Sequence, residues 1–531
     1  MITRPSSSSP SSSRRDPSGY WIRDIDECED FYRRWARPQE GCYPITACVT
    51  FRIQSKYIAE FNGYWVHQSF RDAWTFLRHK HPTLGSYLYP RQSQGTTTWV
   101  RKYKPFLTST DVELWCQETF QTFTDDETAH TWFYTRAPLP HHIPTIHLVK
   151  SASNLGYHTI FLRCPHDMID GVGIFMLLEE LFAKAAEFYK MRPVWDYPLP
   201  EDDDLSKRLS PALRVAANIP ESLSPDLQNY FNKHNEANTR MHSIGYSGAL
   251  ALKSFITNTD RFRRIAITAP RTFSTRILDT ISGSGFGFRL PHLFIAALAK
   301  ALAEHQFRGK DRRLAYYFHR PMIDLRSDIF PDGTSSENAA GLYSAFGTQT
   351  LTLSLTIPKQ GDSQQSYLNE IERLADQVQE HETAADKEFQ ELIEKHSGAN
   401  PEAMVAPWNF KALHPPPDFD PSQEIQFPSP VAPVSLSRVG PIEPRFHTDD
   451  DFFEIPTVWT ASQPIKDGIA AYLSIWKGEI ELSAVFNTRF HDETFMEGFL
   501  HGTFEHVFRG VGMSGYTLNV TRVKDPMMDD L

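Results

Sequence analysis

Several things are scarce in this chain, and each scarcity removes a class of function. Five cysteines stand in 531 residues, Cys28, Cys42, Cys48, Cys116 and Cys164, an odd set with no Cys-x-x-Cys pair. A disulfide scaffold uses even, dense cysteines, and a structural zinc site uses clustered ligand pairs, so neither is expected and no metal is assigned. Reduced thiols in a cytoplasmic protein are the expectation. Basic charge is also short. Lys and Arg number 54 against 65 Asp and Glu, a net charge of −11. A nucleic-acid partner wants a basic stripe, so none is expected. No apolar run approaches the roughly 20 residues of a membrane span. No Gly-x-Ser-x-Gly elbow is present, which argues against a serine hydrolase. Gly283-Ser284-Gly285-Phe286-Gly287 precedes a helix, yet it has neither the P-loop lysine nor the dinucleotide spacing, and it reads as a flexible loop.

What is present is enough apolar material for two core-forming domains, with 37 Phe, 20 Tyr and 11 Trp. Residues 1–19, rich in Ser and Pro, read as a disordered tail rather than a signal peptide. Residues 20–200 form a first region. It opens with an acidic-aromatic helix near Ile25 to Trp35, a strand at Thr46 to Ile53 and a helix from Tyr64 to His79. Residues 201–244 are polar and read as a crossover, and residues 245–531 form a second region. There, Phe262 to Thr268 is a strand, Leu290 to Ala303 a helix, and Gln365 to Lys395 a long charged helix. From Asn400 to Pro444 prolines recur every few residues. The stretch reads as a long loop excluded from sheet interiors, with Trp408, Phe410, Phe419 and Phe427 available to line a cavity. Ala471, Leu473 and Ile475 face Ile480, Leu482, Ala484 and Phe486 across Lys477-Gly478, a hairpin.

One short block carries chemistry: His166-x-x-x-Asp170-Gly171. Tyr157 to Cys164 ahead of it reads as a buried strand. Ile174, Leu177, Leu178, Leu181, Phe182 and Ala185 after it recur at three and four, a helix with one buried stripe. The histidine thus sits at a strand end, on a loop that presents it, and histidine is the usual general base near neutral pH. The block alone also fits a strand-end histidine that bonds only its own loop. Cys164 lies two residues before His166 on the same strand face, and a small buried cysteine is its simplest reading.

The block resembles the active-site motif of the His-x-x-x-Asp acyltransferase superfamily, which includes plant BAHD enzymes, chloramphenicol acetyltransferase, peptide-synthetase condensation domains and fungal acetyltransferases of the trichothecene 15-O-acetyltransferase kind. The likeness spans most of residues 20–510 in the family's order. Phe70 to Leu84 resembles its early helix ending in His-Pro-x-Leu. Leu290 to Ala303 resembles its central helix, and Ile323-Asp324-Leu325-Arg326 with Asn338 and Gly341 its strand-Asp-x-Arg segment and following loop. Gly478 to Phe508 resembles its closing hairpin strand and last helix. Two departures separate branches. Asp451-Phe452-Phe453-Glu454-Ile455 keeps only two residues of the BAHD Asp-Phe-Gly-Trp-Gly block. Pro165 stands where condensation domains carry a second histidine. Both point toward the free-standing fungal acetyltransferases.

The resemblance implies two chloramphenicol-acetyltransferase-like α/β lobes with mixed, largely antiparallel sheets and a channel between them. It implies acyl transfer, acetyl foremost, from acyl-coenzyme A to the hydroxyl of a small apolar metabolite, by a monomer without a metal. His166 is then the general base. Asp170 pairs with an arginine, Arg326 or another, and fixes the loop. Gly171 supplies a backbone shape that a side chain would block, Asn338 shapes a loop, and Ser435 or Ser437 contacts the oxyanion or the donor. An amide-forming condensation enzyme and a non-catalytic binding protein of the same fold are the alternatives.

Overall fold

The computed structural model describes residues 13–36, 44–54, 56–57, 63–93, 96–125, 129–138, 141–151, 156–191, 208–245, 262–283, 288–306, 308–331, 337–361, 370–395, 400–414, 434–447, 452–464 and 468–513. The expected loop at 283–287 falls, apart from Gly283, outside them, as do Cys42, Phe419, Phe427 and Asp451. So do residues 1–12 of the expected tail. Arg14–Arg15 already pair with Trp21 and Ile22 as a short strand, so ordered structure begins before residue 20.

The Tyr157–Pro165 strand is the middle of a five-stranded sheet and is buried along its whole length. It lies between Pro44–Ile53 and Thr145–Ser151. Phe120–Asp125 closes one edge, and Phe453–Ser462, from far along the chain, closes the other. Burial on both faces has a direct cause. Ile160, Leu162 and Cys164 enter a core with the Gly63–Lys80 and Gly171–Met191 helices. Tyr157 and Phe161 enter another with Trp132, Trp459, Ala470, Tyr472 and Val485. The distant edge strand is pinned by aromatic packing: the Phe453 ring lies 5.4 Å from Phe51 and 5.1 Å from Phe182. Such pairs contribute about 0.5–1.5 kcal/mol each beyond the area they bury.

A second sheet runs Val434–Pro441, Ile469–Trp476, Glu479–Asn487, Phe262–Ala269. The hairpin has the expected register, Ala471 opposite Ala484, Leu473 opposite Leu482 and Ile475 opposite Ile480. Lys477 and Gly478 take φ values of 50° and 76°, the left-handed pair that a two-residue turn of matching twist demands. The Leu290–Glu304 and Glu493–Gly510 helices cover this sheet. Among the described residues most strand pairings are antiparallel. The parallel ones join Phe120–Asp125 to Thr145–Ser151 and Val434–Pro441 to Ile469–Trp476.

Two expectations change. The polar crossover contains the Pro225–Gly245 helix. The proline-rich stretch is not one loop. Pro401–Ala412 is a helix, because Asn400 caps it and Pro401 occupies its first turn, where no backbone N–H is needed. Phe410 on that helix is fully buried against Phe31 and Phe346, a core position rather than a cavity wall.

Candidate active site

Pro165 and Pro44 face one another at the end of the central ladder. Neither has an N–H to offer the sheet, so pairing stops there and the chain is released into a loop. Met168 N–H donates to the Pro165 carbonyl at 3.1 Å and closes the turn. Met168 and Ile169 bury their side chains and hold it down. The Gly171–Met191 helix then begins, capped by Asp170, whose Oδ1 accepts from Val172 N at 3.2 Å and Gly173 N at 2.9 Å.

His166 heads this loop with 8 % of its surface exposed. Its ring stacks on Tyr32, centroids 4.1 Å apart and planes 15° apart. Burial pushes the imidazole down to about 4, against the opposite pull of its own and the Ile169 carbonyl and of the Asp170 charge. The ring is therefore neutral at neutral pH, the form that can accept a proton.

Asp170 is turned away from that ring. Its Oδ2 accepts from Arg326 Nη1 at 2.9 Å, Tyr343 N at 2.8 Å and Ser344 Oγ at 3.1 Å. Burial opposes the charge, yet Arg326 and the Gly173 and Tyr343 amides hold the carboxyl below its usual range. Arg326 also donates to Asp324 at 3.2 Å and to the Gly341 carbonyl at 3.1 Å. Its guanidinium thus ties the His166 loop to the 337–343 segment. Asn338 lies half-buried in that segment. Its neighbour Ala339 points its carbonyl at Gly173, where a Cβ would come within 2.2 Å of that oxygen. Gly171 is different: a side chain there would meet no atom within 4 Å. The close approach expected at Gly171 belongs to Gly173, because the segment packs against the buried third residue of the helix and not against its first.

The other side of the loop is held by charge. Arg101 donates to the Asp167 carboxylate at 2.7 Å and to the Asp167 carbonyl at 2.8 Å. Arg101 lies directly across the Trp21–Asp24 and Thr96–Tyr103 ladder from Arg23. Two like charges so opposed repel, and Glu29 relieves them. Its Oε1 accepts from Arg101 Nε at 2.8 Å and Arg23 Nη2 at 2.9 Å, and its Oε2 from Arg23 Nη1 at 2.6 Å. Burial alone would raise the Glu29 carboxyl, but the two arginines hold it down at about 2. Burial raises Asp167 in spite of Arg101.

Of the other candidates, Ser435 is exposed and donates to the Ile469 carbonyl at 3.5 Å, and Ser437 is half-buried on the same strand. Among the described residues no hydrogen bond joins either to the His166 loop. The Cys164 thiol is fully buried and pushed far up by that burial, so it is inert. The described residues hold one group with metal-ligand spacing, Glu118, His141 and His142, whose ligand atoms lie within 4.8 Å of one another. It shares no residue with the His166 loop. Tyr32, Glu29, Arg101 and Gly173 were not singled out from the sequence. Only the one-turn spacing of Glu29 and Tyr32 on a helix hinted that the first two share a face.

Comparison with known proteins separates sequence from architecture. No family model matches the chain, and no curated protein matches it in sequence. Solved structures do. Trichothecene 15-O-acetyltransferase from Fusarium sporotrichioides superposes with a TM-score of 0.70 at 14 % identity, covering 94 % of this chain and 99 % of that one. The first condensation domain of the calcium-dependent antibiotic synthetase gives 0.52 at 12 % identity, covering 92 % of this chain and 95 % of that one. At such identities the likeness is one of fold, and the chain has the two-lobed α/β architecture of chloramphenicol-acetyltransferase-like proteins.

Proposed function

We propose that this chain transfers an acyl group, acetyl foremost, from an acyl-coenzyme A thioester to the hydroxyl of a small apolar metabolite such as a trichothecene-like terpenoid, with His166 as general base. The observation that carries the reading is a buried, neutral imidazole on a loop whose aspartates are both engaged by arginines. It is supported by a fold shared with an acetyltransferase.

An alcohol is a weak nucleophile at neutral pH and must lose its proton as it attacks. In the proposed step an imidazole nitrogen of His166 takes that proton while the oxygen bonds to the thioester carbonyl. The tetrahedral oxyanion collapses, the C–S bond breaks, and the leaving thiolate recovers the proton from the imidazolium. No acyl-enzyme is needed. General-base help of this kind is worth roughly 10²–10⁴-fold. Asp170 acts as a positioning residue and not as a relay, since its oxygens are occupied by Arg326, two backbone amides of the helix, Tyr343 N and Ser344.

The test is a mass-spectrometric screen of the purified chain with several acyl-coenzyme A donors against panels of alcohols and amines. Acylated alcohol and free coenzyme A are expected, and His166→Ala should lose both. Normal turnover by that variant refutes the role given to His166. Acylation confined to amines, with a carrier protein outcompeting coenzyme A, would move the chain to the condensation branch.

A further inference from the structure

The helix Glu27–Trp35 meets the His166 loop directly at one point and through a bridging arginine at another, and no motif predicts either. Tyr32 lies flat on the imidazole. Glu29, one turn earlier, reaches the next loop residue, Asp167, through Arg101. The helix itself is well anchored. Asp26 caps it and also accepts from Arg214 N at 3.1 Å. Trp35 Nε1 donates to the Leu413 carbonyl at 3.1 Å. Phe31 packs among Trp35, Phe346 and Phe410. Tyr32 shares its cluster with Tyr343, whose N–H donates to Asp170, and with Leu325, the residue before Arg326. It is thus a fixed wall behind the imidazole and not a surface ring that swings.

Resting on the acyltransfer reading above, we propose that Tyr32 is a positioning residue for His166. Its ring covers one imidazole face and fixes the ring plane, and with it the in-plane direction along which a ring nitrogen can accept the hydroxyl proton. The Glu29–Arg101–Asp167 chain keeps the covering helix and the loop in register. The physical case has two parts. A stacked aromatic ring excludes water from one side of the base and keeps it unprotonated. Preset orientation matters because a misplacement of about 1 Å can cost about a hundredfold in rate. The charged groups near the ring are Asp170, paired with Arg326, and Asp167, paired with Arg101 and through it with Glu29 and Arg23.

The experiment compares wild type, Tyr32→Ala, Tyr32→Phe and His166→Ala. His166 is titrated by NMR on protein labelled at its histidine rings, with His166→Ala giving the assignment, and steady-state kinetics follow. Tyr32→Ala should raise the His166 titration by about a pH unit or more as water reaches the ring. It should lower kcat about 10–100-fold while leaving KM for the acyl donor nearly unchanged. Tyr32→Phe, which keeps the stacked ring, should restore the low titration and most of kcat. A folded Tyr32→Ala protein with the wild-type titration and kcat overturns the proposal. So does a loss of activity that only tracks the unfolded fraction, or a Tyr32→Phe protein as damaged as Tyr32→Ala. The titration needs no substrate. If wild type shows no turnover, or His166→Ala keeps it, the acyltransfer reading fails while the titration still judges Tyr32.

Discussion

Replacing Arg326 with methionine removes the guanidinium from a pair that is almost wholly buried, the two side chains being 4 % and 2 % exposed. The aliphatic stem is kept, so the loss is chiefly one of charge and hydrogen bonds. Breaking a buried pair by deleting one partner costs about 3–5 kcal/mol, because the other charge is left without compensation. Here Asp170 retains Val172 N, Gly173 N, Tyr343 N and Ser344 Oγ, which places the effect near the low end, about 3 kcal/mol. At roughly 2–4 °C per kcal/mol for a unit of 150–250 residues, calorimetry should show Tm lowered by about 6–12 °C. Asp170→Asn combined with Arg326→Met should cost less than the two single changes summed, because no unpaired charge remains. A second signature follows from pH. Arg326 holds the Asp170 carboxyl below its ordinary value in the folded chain. The unfolded chain therefore binds this proton more readily, and the stabilisation is present above the ordinary carboxylate range and lost as pH falls through the folded value. Without Arg326 the folded value rises, and the midpoint of acid unfolding should move to higher pH. An Arg326→Met protein that melts within about 2 °C of wild type, with the same acid midpoint, would refute the reasoning from a buried, uncompensated charge.

Gly173→Ala sets a methyl against the backbone carbonyl of Ala339 and should cost about 1–3 kcal/mol. Gly171→Ala, with open space around it, should melt like wild type, and thermal melts of the pair decide which glycine the packing requires. The acidic limb of the kcat/KM profile reports the free-enzyme base. Since burial lowers His166 to about 4, activity should persist well below pH 6 and fall as pH approaches 4. A coupled assay with an acid-tolerant thiol reagent reads this, and a limb at the ordinary histidine value would contradict the burial. Gly478→Ala forces a side chain into a φ of 76°. It should destabilise by about 1 kcal/mol, read as a lower denaturation midpoint with activity per folded molecule unchanged.

The elements around the site were legible because each has its own period. The Tyr157–Pro165 strand and the Gly171–Met191 helix stand where apolar spacing put them. The closing hairpin follows from alternation about Lys477-Gly478. What spacing could not supply is pairing across the chain. Phe453–Ser462 joins the sheet of Pro44–Ile53 through aromatic packing that no local window contains. Arg326 is the arginine the resemblance puts forward for Asp170, and the fold, which sets it 2.9 Å from that carboxylate, chooses it over the others. The helix at Pro401–Ala412 was hidden because proline reads as a breaker, yet Pro401 in the first turn has no bond to lose, and the helix also carries Pro407 in its interior. Tyr32 carries no signature beyond its one-turn spacing from Glu29. A tyrosine on an amphipathic helix is ordinarily core, and only its partner makes it part of a site.

The loop that bears His166 is held from two sides by parts of the chain distant in sequence. Arg326, 156 residues on, ties Asp170 to the 337–343 segment. Arg101, 66 residues back, ties Asp167 to the first helix. Each arginine takes up the negative charge of a carboxylate that flanks the imidazole, and each also donates to a second element, Arg326 to the Gly341 carbonyl and Arg101 to Glu29. An imidazole between two unpaired carboxylates would be drawn toward the protonated form and lost as a base. With both acids engaged and Tyr32 over one face, burial keeps the ring neutral against the pull of the backbone carbonyls and of Asp170. At neutral pH the imidazole on this loop is therefore in the form that can take up a proton, which is the protonation state that the proposed single-base acyl transfer requires.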